Sequence, residues 1–195
     1  VNTLKYIIII TAIFFALPTH ASEIYNLLDA ASITAPTNPN WKLHESEENK
    51  LIFTHQTSLP PYYTSFLELR ISTVTSEINR IEQIMDHSGK RLSRFSIGEA
   101  NRELLISFNY KREEFLEMDC ISNHWETVYP RQKKEGTHTT YRIVKMIECP
   151  IPEPSNKVVS LSFAYSGTES KIPLNMQQDA SVFFKSLKLH AASKK

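Results

Sequence analysis

Apolar and polar positions alternate with a period of two along much of the chain from Trp41 onward, and change to a helical period before and after the central strands. Over 50–57, Leu51, Phe53 and His55 alternate with Ile52, Thr54 and Gln56, which predicts a strand. Leu59-Pro60-Pro61-Tyr62-Tyr63 predicts a turn, because neither proline can donate to a ladder. Over 65–72, Leu67, Leu69 and Ile71 share one side while Glu68 and Arg70 take the other, the pattern of a half-buried strand. Val74, Ile78, Ile81 and Met85 then recur at helical spacing, with Ile84 widening the stripe. Thr75 or Ser76 can cap that helix and Gly89 can stop it. Residues 103–110, 115–129, 140–148 and 158–165 are rich in β-branched and aromatic side chains and predict strands. A last helix is predicted from Asn175, where Asn175 and Gln178 resemble a capping box and Ala180, Phe183, Phe184 and Leu187 form the apolar face.

The order β-β-β-α-β-β-β-β-α with short connections predicts an α+β fold, a largely antiparallel sheet packed with a central helix and a C-terminal helix. One domain over 41–190 is expected, preceded by an N-terminal segment over 22–40 and followed by a loose tail over 191–195. In the N-terminal segment, Ile24, Leu27, Leu28 and Ala31 suggest a docking helix or a frayed end. Ile33 to Asn40 (ITAPTNPN) then reads as a surface lead-in.

The opening of the chain has a different character. Lys5 precedes an apolar run from Tyr6 to Leu17 broken only by Thr11, and Pro18 and Thr19-His20-Ala21 follow. This is the layout of a signal peptide over 1–21, cut before Ser22, with an uncleaved anchor as the competing reading. The run is 12 residues long, short of the roughly 17–25 that a spanning helix needs. A periplasmic or secreted protein is therefore expected, without a stable membrane span after processing.

Charge and composition exclude more than they suggest. The 195 residues carry 22 Lys and Arg against 21 Asp and Glu, and loss of 1–21 would remove Lys5 and no acid. A balanced chain has no electrostatic footprint for nucleic acid, and four glycines supply little for a phosphate-cradling loop. No G-x-S-x-G elbow, Walker loop or H-E-x-x-H pair occurs. Cys120, His124 and Asp119 form the closest set of metal-ligating types, but residues 120 and 124 on a strand stand about 13 Å apart, too far to share an ion. Glu47-Glu48 and Glu113-Glu114 are adjacent carboxylates and read as solvated turn charges. No catalytic residue, metal or cofactor is assigned.

Cys120 and Cys149 lie 29 apart about a midpoint between Lys134 and Glu135, inside the polar stretch 131–138 (RQKKEGTH). If two strands pair symmetrically about that tip, Cys120 falls opposite Cys149, within disulfide range at a non-hydrogen-bonded site. An oxidising compartment would complete the bridge. The same register sets Trp125 opposite Val144 and Tyr129 opposite Thr140. Trp41, Trp125, Tyr129 and Tyr141 are candidates for a binding face if helices cover only one side of the sheet, although cross-strand packing also accounts for them. Arg131, Lys133 and Lys134 at the tip are a candidate docking contact, or a solubilising end that blunts the sheet.

The closing DASVFFKSLKL (179–189), with Phe183, Ser186, Leu187 and Lys188, resembles the end of the Mog1/PsbP/DcrB-like group of α/β/α sandwich domains. The likeness extends over about 41–190 as an order of elements. It departs from the group at Lys50-Leu51-Ile52-Phe53, where a Gly-Phe-x-aromatic-x-x-Pro start is usual, and in the cysteine pair. The resemblance implies a non-enzymatic accessory or binding domain and transfers no functional residue. The expectation is an exported binding domain of the bacterial envelope, taking an envelope protein, peptide, glycan or lipid. Its rivals are a hydrolase with a dispersed active site and a secreted host-directed factor.

Overall fold

The computed structural model describes residues 23–57, 63–73, 104–133, 136–151 and 156–190. The expected signal segment, the helix expected from Val74 to Gly89, the turn expected at Pro60-Pro61, Lys134 and the expected tail lie outside the described residues. The described elements are β1 (Ile24–Leu27), β2 (Ala31–Thr34), β3 (Lys42–Glu47), β4 (Lys50–Thr57), β5 (Tyr63–Thr73), β6 (Leu104–Phe115), β7 (Met118–Lys133), β8 (Gly136–Pro150), β9 (Lys157–Gly167), α1 (Leu174–Lys185) and β10 (Lys188–Leu189).

Seven strands form one antiparallel sheet in the order β3-β4-β5-β9-β8-β7-β6, and β1, β2 and β10 form a second, three-stranded sheet. The fold is α+β, as the order of elements predicts. Alternation decides which side of the large sheet is inner. Leu51, Phe53, Leu67, Leu69, Ile71, Val159, Leu161 and Phe163 all fall on it and all are buried. α1 and the small sheet close this side. Phe53 meets both, edge-on to Tyr25 of β1 at 5.6 Å and to Phe183 of α1 at 5.9 Å.

β7 and β8 pair without a register shift from Ile121 opposite Glu148 to Lys133 opposite Gly136. Trp125 stands opposite Val144 and Tyr129 opposite Thr140, as the symmetric hairpin requires. Cys120 and Cys149 form a disulfide with α-carbons 4.4 Å apart, the spacing of a non-hydrogen-bonded pair.

Other boundaries differ from the sequence pattern. Residues 24–34 form a hairpin, neither a helix nor a surface lead-in, and Leu27, Ala31 and Ile33 are fully buried in the core. β10 pairs with β2, and the His190 amide donates to the Ala30 carbonyl at 2.9 Å. Strands of four residues are too short for a period to register, and the third partner lies more than 150 residues away. β6 and β7 divide at Leu116-Glu117, whose φ values of 50° and 62° make a two-residue type I′ turn. Leu and Glu carry no turn signal, so Phe115 reads as the start of the second strand when it ends the first. Glu113 and Glu114 lie inside β6, not in a turn. α1 begins at Leu174 behind Pro173, and no side chain caps it. Asn175 is already in the first turn, so the capping box does not form. Ala180, Phe183, Phe184 and Leu187 are buried, as the helical period predicts.

Candidate functional site

The inner side of the large sheet is not uniform. Over β4, β5 and β9 its positions are apolar and covered, whereas over β8, β7 and β6 polar side chains enter it between the buried Ile143 and the Cys120–Cys149 pair. Reading across paired strands, Leu67 and Phe163 lead to Lys145, His124 and Asn109, and Leu69 and Leu161 lead to Ile147, Ser122 and Lys111. α1 packs toward the apolar part. Phe183 sits on Phe53 of β4, and Ser65 of β5 lies 3.5 Å from the Met176 sulfur. The remaining floor and the flank of α1 enclose a groove of about 720 Å³.

One wall of this groove is apolar, built from Phe163, Ile147 and Phe115 on strands and Ala180 and Phe184 on α1. The floor carries Asn109, Lys111, Glu113, Ser122, His124 and Lys145, and Lys185 stands at its rim in the last turn of the helix. Lys111 pairs with Glu113 on its own strand at 2.6 Å, and the His124 ring Nε2 lies 3.0 Å from Glu126. Lys145 and Lys185 have no acidic partner among the described residues. The lining therefore offers more positive than negative charge beside aromatic and aliphatic surface. No cluster of three metal-ligating side chains occurs among the described residues.

A partly buried polar knot ties down the middle of α1. Asp179 Oδ2 accepts from Trp41 Nε1 and from Asn38 Nδ2, both at 2.9 Å, so the helix is tied to the chain ahead of β3. Next to it, His55 is stacked on Tyr63 at 5.5 Å and edge-on to Trp41 at 5.4 Å. Burial holds the His55 pKa below its ordinary value of 6.5, against the smaller opposite pull of Asp179. On the outer side of the sheet, Asn123 Nδ2 donates to Glu148 at 3.1 Å and Ser160 donates to the same carboxylate at 3.4 Å, joining β7, β8 and β9.

The four aromatic candidates are not brought to one surface. Trp41 is buried in the knot beside α1. Trp125 and Tyr129 point to the outer side of β7, while Tyr141, paired with Val128, points to the inner side of β8. Trp125 is buried, and Tyr129 and Tyr141 are half-buried. Of the basic tip, Arg131 pairs with His138 and Lys133 with Gly136 in the ladder. The groove residues Lys111, Ser122, Lys145, Phe163 and Phe184 come from distant stretches of chain. The available signal was the polar alternation on β6 and β7, which reads as a solvated face until the topology sets a helix beside it.

The fold weakly resembles solved structures that include a PsbP and a Mog1. Cyanobacterial PsbP (CyanoP) from Synechocystis sp. PCC 6803 has a TM-score of 0.53 and 11% identity, over 87% of this chain and 93% of that one. A point mutant of Mog1 gives 0.46 and 6%, over 88% and 97%. LpqN, involved in cell envelope biogenesis of Mycobacterium tuberculosis, gives 0.42 and 16%, over 83% and 85%. No protein-family model matches the chain, and no curated protein matches its sequence. At 11% identity the likeness to CyanoP speaks for the fold alone.

Proposed function

We propose that this protein is an exported, non-enzymatic accessory domain of the bacterial envelope that binds its ligand in the groove between α1 and strands β6–β8. The observation that carries the reading is the groove itself. About 720 Å³ falls within the roughly 300–1,000 Å³ typical of small-molecule sites. Export is supported by the apolar opening of the chain and by the Cys120–Cys149 disulfide, a bond that persists in oxidising compartments. Among the described residues no helix is long and apolar enough to cross a membrane.

The test has two parts. Fractionation of cells should recover the protein in periplasm or medium with its thiols oxidised. Native mass spectrometry of protein taken from the envelope should detect a bound small molecule, which is lost when Ala180→Trp fills the groove. Recovery in cytosol with two free thiols, or an unliganded protein that no envelope extract changes, overturns the reading.

A second reading has one observation in its favour. Ser122, His124 and Glu126 occupy alternate positions on the inner side of β7, with His124 held by Glu126 at 3.0 Å, so the groove contains an oriented imidazole and a hydroxyl. A hydrolase built on them would label at Ser122 with a serine-directed phosphonate and lose that labelling in His124→Ala. Absence of labelling eliminates it.

A further inference from the structure

The groove has an apolar wall and a floor on which Lys145 has no acidic partner among the described residues, and this combination selects among ligands. We propose that it holds an amphipathic anion, a single acyl chain lying against Phe163, Phe184 and Ile147 with its acidic head on Lys145. The proposal deepens the binding reading given above and rests on it.

Charge is the first ground. Lys111 and Lys145 stand on β6 and β8, and Ser122 and His124 lie between them on β7. Lys145 lies opposite Phe163 of β9 on one side and His124 of β7 on the other, so an acidic head on its ammonium stands one strand spacing, about 4.8 Å, from the apolar wall. Glu113 answers Lys111, whereas Lys145 has no acidic partner among the described residues. An anion entering here gains a charge-assisted contact to Lys145 that no described acidic residue makes.

Backbone chemistry is the second ground, and it sets an acyl chain above a peptide. β7 and β8 spend their main-chain donors and acceptors on both neighbouring strands, while β6, at the edge of the described sheet, pairs on its β7 side. The flanking wall is helix, whose backbone groups are likewise paired. Gln177, the amide that lines this flank, already donates to the Ile172 carbonyl at 3.0 Å. A peptide pressed against β7, β8 and α1 would find few partners for its own amides, and unpaired amides are costly. An acyl chain carries none. The apolar wall then gains area from its methylenes without a polar penalty.

The experiment uses the oxidised protein and a fluorescent fatty-acid probe, displaced in turn by dodecanoate, dodecyl phosphate, dodecanol, inorganic phosphate and an apolar octapeptide. Dodecanoate or dodecyl phosphate should displace the probe, and which of the two does so better separates a carboxylate ligand from a phosphate one. Dodecanol should be weaker by about tenfold, and Lys145→Met should lower dodecanoate affinity by a similar factor. Lys145 is exposed, so its replacement leaves the fold intact, which circular dichroism checks. Equal displacement by dodecanol and dodecanoate, or unchanged affinity in the Lys111→Met, Lys145→Met double variant, overturns the proposal and leaves the groove as a binding site of another specificity. The same holds if only the octapeptide displaces the probe. If no probe binds and envelope extract also yields no bound molecule, the groove reading falls with it.

Discussion

The two halves of the large sheet are made from the same antiparallel ladder and end with opposite inner faces. Strands β4, β5 and β9 present Phe53, Leu67, Leu69, Leu161 and Phe163 to α1 and the small sheet. Strands β8, β7 and β6 present Lys145, His124, Ser122 and Lys111 to a groove. The first half is what the fold needs, since covered apolar area is the dominant favourable contribution to folding. The second adds little to stability, because charged and hydroxylated groups facing water gain nothing from being there. A polar inner face beside a helix is a departure from what packing alone would select, and such departures are where function concentrates.

The sharpest way to break that contrast is to truncate each half. Phe183 is fully buried between Phe53 and Phe184, and Phe183→Ala should cost about 3–5 kcal/mol in urea unfolding. Ser122→Ala and Lys145→Met on the other half should each stay within about 0.5 kcal/mol of wild type. A loss of comparable size on both halves would mean that the groove floor is structural.

The next largest effect concerns the open half. The Cys120–Cys149 bridge closes a separation of 29 residues at the end of the β7–β8 hairpin. On the chain-entropy model it contributes roughly 3.5 kcal/mol. The Cys120→Ala, Cys149→Ala double variant should unfold at correspondingly lower urea concentration, and reduction of the wild type should reproduce the loss. If reduction leaves the midpoint unmoved, the strand pairing alone suffices and the open half needs no staple.

How far these features were legible follows from the range of the signal each one has. The hairpin could be read because one symmetry point between Lys134 and Glu135 fixes every pair from Ile121–Glu148 to Lys133–Gly136. β5, β9 and the buried face of α1 could be read because period two and period 3.6 are written locally. The small sheet could not, since Ala31 and Ser32 depend on Lys188 and Leu189 at the other end of the chain. The separation of Tyr129 from Tyr141 was available in principle. In this register Tyr129 pairs with Thr140 and Tyr141 with Val128, so the two rings must lie on opposite sides. The groove needed the strand order, because β6 and β9 flank the β7–β8 hairpin through connections that no local pattern specifies.

Gly167 tests the covered half at its margin. It pairs with Tyr63, and a β-carbon there would collide with the Tyr165 hydroxyl and come within 2.7 Å of that ring's Cζ and 3.0 Å of Tyr63 Cβ. Tyr165 is fully buried and has no room to withdraw. Gly167→Ala should therefore destabilise by about 1–3 kcal/mol, the cost of overpacking. An unchanged melting temperature would show that the ring can move and that this edge of the covered half is loosely held.

The smallest effect expected is a difference in pH dependence, and it reports on the same covered half through His55. Burial lowers its folded-state pKa beneath the 6.5 of the unfolded chain. Above 6.5 the imidazole is neutral in both states and its contribution is complete. As pH falls below that value the unfolded chain takes up the proton first, so stability declines until the folded-state pKa is reached and then changes no further on this account. Asp179, the nearest acid, moderates the decline by favouring the protonated ring. Urea midpoints measured between about pH 5 and 7.5 should fall more steeply on acidification in the wild type than in His55→Gln. The absolute stability of the variant is immaterial, since the comparison is of slopes. Asp179→Asn keeps an oxygen for the Trp41 and Asn38 hydrogen bonds and removes the charge, so it should steepen the decline beyond wild type. Parallel curves for all three proteins would mean that water reaches His55, and that the half of the sheet under α1 is less closed than its packing indicates.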